Sequence, residues 1–192
     1  MNNVHITLIH DCNIESELFS SFVSEIKNDN LRVLVKGETH PLQDGMACYE
    51  WLIPPLVLAY IAKSYFDGFL KEAGKDHYTA LKNMISKVGE DVLVKQRIEP
   101  TLYATEGKLN PDNPYSIAFS IISEAHDGKK FRLLVPKYFD GVNYSEIVNE
   151  FMDFTYQHHF DTDDYEISNG FILLHYNFPT KKIESVSFAK GT

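Results

Sequence analysis

Cysteine is scarce in this 192-residue sequence: Cys12 and Cys48 are the only two. They form neither a metal-ligand spacing nor a disulfide framework, and such sparing use fits a reducing, cytoplasmic setting. Long apolar runs are missing too. The charge-free stretch from Trp51 to Ala62 covers twelve residues, short of the roughly 20 that a membrane-spanning helix needs. The amino terminus, MNNVHITLIHD, has no basic segment ahead of an apolar run, so no secretory signal is expected. Neither GxGxxG nor GxxxxGK occurs, which removes the common glycine-rich phosphate loops, and there is no GxSxG nucleophile elbow. No repeat of fixed period and no low-complexity tract is found. Basic charge is in deficit, with 18 Lys and Arg against 27 Asp and Glu and a formal net charge of -9. A surface of that sign is a poor match for phosphates, so nucleic acid is not an expected partner and an anionic membrane is disfavoured.

What is present is an ordinary globular composition, 44% hydrophobic and 23% charged. A chain of this length buries enough surface to need no disulfide or metal staple. One α+β domain over residues 1–192 is expected, with lobes 1–91 and 92–192 as the alternative division. Val4 to Ile9 reads as a strand, Ile14 to Ile26 as an amphipathic helix and Leu31 to Val35 as a second strand, together a βαβ unit. Lys36 to Ala47 is punctuated by Gly37, Pro41 and Gly45 and reads as a long, candidate functional loop. In the last third, strands at Tyr115 to Ser123 and Phe131 to Val135 flank an Asp127-Gly128 turn. Tyr144 to Phe160 has helical spacing, and strands at Phe171 to Phe178 and Ile183 to Ala189 close a second hairpin. The expected fold is therefore a mixed, largely antiparallel sheet with helices on one face: an N-terminal βαβ unit, a central helical hairpin and a C-terminal hairpin-helix-hairpin.

The central hairpin is built on Tyr49 to Ala73, which holds the only Trp and the only Pro-Pro step. Pro at a first helical turn predicts a helix starting at Pro54 or Pro55. Lys63, Asp67 and Lys71 then fall at i, i+4 positions on its polar side, where they can pair. Gly74 is the expected stop, followed by a third helix from Asp76 to Gly89.

Chemistry-bearing residues are densest in the run HHFDTDD, where His158, His159, Asp161 and Asp163 offer imidazole and carboxylate ligands suited to zinc, manganese or iron. An EF-hand loop starting at Asp161 fails, because Glu166 and Ile172 occupy the positions that need Gly and Glu. His10-Asp11 and His126-Asp127 resemble the paired His-Asp of metal phosphohydrolases. One pair follows a strand, however, and the other sits in a hairpin turn where Asp is expected for its turn chemistry. His5-Ile6-Thr7 resembles half of a two-histidine phosphoesterase pattern, and no second His-x-Ser/Thr triplet exists.

With no complete catalytic set, the leading expectation is a non-catalytic protein that binds a protein partner or itself as a homo-oligomer. Its 11 Tyr and 13 Phe point that way. The expected contact surface is Trp51, Tyr60, Tyr65, Phe66 and Phe69. No cofactor and no small-molecule substrate are expected on this reading. The alternatives are a divalent-metal-dependent hydrolase using His158, His159, Asp161 and Asp163, and a peripheral membrane protein held by a helix over residues 49–70.

Overall fold

A computed structural model describes residues 4–39, 53–100 and 113–186. Seven strands form one mixed sheet in the order β2-β1-β3-β4-β5-β6-β7. Strand β1 (Ile6–Asp11) leads through α1 (Glu17–Glu25) to β2 (Val33–Glu38), its parallel neighbour, as the βαβ expectation required. Ser16 starts α1 by accepting from the Leu18 N–H at 3.2 Å, and Phe19, Phe22 and Ile26 turn into the core.

The next element departs from the sequence reading. Val57–Ile61 is a strand, β3, and not the first turns of a helix. It runs antiparallel to β1 on one side and parallel to β4 (Tyr115–Glu124) on the other. Val57, Ala59 and Ile61 are fully buried while Leu58 and Tyr60 are half-buried, the period-2 alternation of a pleated strand. The helix begins only after Ala62, with a π-helical turn, Tyr65–Phe69, that runs into α2 (Leu70–Glu90) and a closing turn, Asp91–Lys95. Gly74 does interrupt it, at φ 79°. Gly89 does not end it; Gly89 lies where α2 presses against β4, and a Cβ there would stand 2.9 Å from Phe119 Cε1.

The C-terminal third follows the expected order. Strands β4 and β5 (Lys130–Pro136) form a hairpin, α3 (Tyr144–Gln157) crosses over, and β6 (Ile172–Asn177) pairs with β7 (Lys182–Ser185). The sheet is less antiparallel than expected: β1/β2, β3/β4 and β5/β6 are parallel, and the three remaining contacts are antiparallel. Each parallel pair is therefore the two ends of one strand-helix-strand crossover. Helix α2 packs beside both α1 and α3, and Tyr65, Leu81, Ile85, Ile147 and Phe151 from this layer sit in the same core as Leu8, Ile61 and Leu133 from the sheet. No helix among the described residues is long and apolar enough to cross a membrane.

Candidate metal centre

Three pieces of chain meet at the C-terminal ends of β3 and β4. Asp67 stands on the π-helical turn that follows β3. His126 belongs to the turn between β4 and β5, and His159 follows the end of α3. The turn and the α3 end are joined by a backbone bond from the His126 N–H to the His159 carbonyl at 2.9 Å. Asp127 reinforces the join: its Oδ2 accepts from the Thr162 hydroxyl at 2.6 Å and lies 3.2 Å from Lys129 Nζ, which also reaches Asp163 at 3.1 Å. Burial works to raise the Asp127 pKa, but the Thr162 and Lys129 contacts outweigh it and hold the carboxyl below its ordinary value.

Asp67 Oδ1 lies 2.7 Å from His159 Nε2 and 2.8 Å from His126 Nδ1. A carboxylate only accepts, so in this arrangement each ring nitrogen donates to it. Burial would raise the Asp67 pKa; the two imidazole hydrogen bonds prevail and lower it. His159 is 2% exposed, walled by Phe66 and Phe160, and its other nitrogen, Nδ1, is buried without a partner among the described residues. His126 is the open member at 59% exposure. One ligand atom from each of the three residues lies within 4.8 Å of the others, and they form the only such group of three or more His, Cys, Asp or Glu among the described residues.

Asp67 also lines an open groove of about 580 Å³. The groove runs between the start of β1 and the ends of β3 and β4, with Lys63, Ser64 and Glu124 on its walls and Val4 and Ala62 as apolar lining. Comparison of this chain with protein-family models, with characterised proteins and with solved structures finds no match.

Of the four ligands expected in HHFDTDD, only His159 reaches this centre. His158 turns to the opposite side, its ring 4.4 Å from Phe154 and its Nδ1 3.3 Å from the Tyr165 hydroxyl. Asp161 is exposed, and Asp163 is spent on Lys129. The expected contact surface is also displaced. Tyr65, Phe66 and Phe69 are 0%, 2% and 5% exposed, buried because the π-helical turn that carries them lies on the core. Tyr60 is a strand residue whose hydroxyl donates to Glu124 Oε2 at 3.0 Å, and Trp51 lies outside the described residues. Asp67 and His126 were absent from the expected site. Asp67 sat in an i, i+4 pattern with Lys63 and Lys71, and His126 beside a turn aspartate, so each had a sufficient local explanation. The helix over residues 49–70 on which a membrane anchor depended is replaced by a buried strand over its central part, Val57–Ile61.

Proposed function

We propose that the chain binds one divalent transition-metal ion through Asp67 Oδ1, His126 Nδ1 and His159 Nε2, and that the metal-dependent reading of the sequence belongs to these residues. The observation that carries it is the convergence of three ligand atoms within 4.8 Å from elements far apart in sequence. Two imidazoles and a carboxylate suit zinc or ferrous iron, and three protein ligands are the number typical of centres that keep a position open for water or substrate. Asp67, alone of the three, also lines the groove.

The test is zinc titration of the chelator-stripped protein by calorimetry, with elemental analysis of the protein as purified. One zinc per chain is expected, falling by at least about 10-fold in affinity for Asp67→Asn and for His126→Ala, a change on an exposed turn that leaves the core intact. Equal zinc uptake by wild type and both variants, or none by wild type, overturns the reading.

A second reading keeps the expectation of self-association on a different surface. Tyr138, Phe139 and Phe178 are 37%, 44% and 43% exposed, and the two Phe rings touch at 5.2 Å between centroids. A second copy of the chain is the occupant proposed for them. Light scattering across a concentration series should then show a dimer that Phe139→Ser with Phe178→Ser returns to monomer, and a wild-type monomer throughout rejects it.

A further inference from the structure

The groove has an electrostatic imbalance that the metal centre does not resolve. Glu124 is half-buried on its wall. Its Oε2 accepts from the Tyr60 hydroxyl at 3.0 Å and from the Lys63 N–H at 3.2 Å, both uncharged donors. Its Oε1 has no partner among the described residues, and no Lys or Arg forms an ion pair with it. A partly desolvated carboxylate held rigid on one oxygen and bare on the other presents a fixed acceptor to whatever enters.

The opposite charge is close at hand but unused. Lys63 gives its backbone N–H to Glu124 while its ammonium is exposed and makes no ion pair among the described residues. Ser64 also lines the groove, but its Oγ is closed off from it, buried with no hydrogen-bond partner among the described residues. Between these polar groups lie Val4, Ala62 and Gly68. Bare acceptor, free cation and apolar floor in one groove of a few hundred Å³ describe a small-ligand site.

We infer that this groove binds a small zwitterion, an amino acid or short peptide, with its ammonium on Glu124 Oε1 and its carboxylate toward Lys63. A phosphorylated ligand fits badly, since Glu124 and Asp67 both line the groove against one lysine. A plain polyamine leaves Lys63 unmatched. The inference goes beyond metal binding and does not need it, although a peptide seated here would lie against Asp67, the residue that the groove shares with the metal centre.

The experiment is calorimetric titration of the full chain in chelator with the dipeptide Ala-Leu, its N-acetyl form and its C-terminal amide. Binding of the free dipeptide is expected, weakened at least about 10-fold by either block, as loss of a charged hydrogen bond implies. Glu124→Gln should weaken the free dipeptide by a similar factor and leave the N-acetyl form unchanged. Lys63→Met, on an exposed side chain that the fold does not use, should remove the difference between free carboxylate and amide. No binding of Ala-Leu in the millimolar range overturns the inference, as does equal binding of free and N-acetyl forms. Zinc content is measured on the same preparations, so a failed groove and a failed metal centre give different results.

Discussion

Gly89 shows how one missing side chain sets the distance between two layers. The Phe119 ring of β4 lies where a Cβ on Gly89 would meet it at 2.9 Å, and ring and backbone on both sides are buried. Neither can yield without moving α2 off the sheet. Gly89→Ala is therefore expected to destabilise by about 1–3 kcal/mol through overpacking, despite the better helix propensity of Ala, and a lowered urea midpoint with an unchanged slope would record it. An unchanged or raised midpoint would mean that the layers slide freely here. The same residue illustrates what one sequence conceals: read alone, Gly89 is a helix stop, because only the partner 30 residues away reveals the close approach. Asp67 is the functional counterpart. Its lysine neighbours at i±4 account for it locally, whereas the histidines that hold it are 59 and 92 residues distant. His159 was legible because a dense run of ligand-type residues advertises itself, yet the partners in that run were the wrong ones, since residues adjacent in a loop point to different sides.

At the scale of elements, the strand-helix-strand start and the hairpin-helix-hairpin end were legible because their apolar periods are clean and bounded by turn residues. β3 was not. Val57–Ile61 carries no polar position to show its period, and a short apolar run satisfies a buried strand and a buried helix equally. The tie is broken by neighbours, since β1 and β4 both offer it a ladder. Between helices the principal polar tie is Lys82 on α2, whose Nζ donates to both oxygens of Asp153 on α3 at 2.9 and 2.8 Å while the Tyr78 hydroxyl donates to Oδ1 at 3.2 Å. The two ends are unequally sheltered, Lys82 at 16% exposure and Asp153 at 45%. Removing the acid strands a sheltered ammonium; removing the lysine leaves a carboxylate that water can reach. Asp153→Ala should thus cost more than Lys82→Met, roughly 1–3 kcal/mol against less than about 1. Chemical denaturation of the two variants decides it, and the reverse order would mean that the lysine is solvated in spite of its position.

At the scale of the whole molecule, three crossovers share one sheet and their helices lie side by side. β1–α1–β2 and β3–α2–β4 step in opposite directions along the sheet from strands that run oppositely, so with helices on one face they have the same hand. β5–α3–β6 steps as β3–α2–β4 does but from a strand of the opposite direction, and so has the other hand. Parallel crossovers almost always take one hand, so these three depart from the rule, and α3 lies in the same layer as α2 with His159 just past its end. The fold also shelters phenols from water. Burial pushes Tyr60, helped by the Glu124 charge, up to about 12, and burial does the same for Tyr144. Tyr65 and Tyr78 are likewise raised well above the usual value, again first by burial. A folded-state pKa above the unfolded one, about 10 for tyrosine, means that the native chain holds protons which the unfolded chain has released. The stabilisation is complete below about pH 10 and is lost as pH rises toward 12. The denaturant midpoint should therefore be level up to about pH 9.5 and fall steeply beyond it, with tyrosinate absorbance lagging in the native protein and jumping on unfolding. A native titration in which all eleven tyrosines ionise together near pH 10 would contradict the burial of these four.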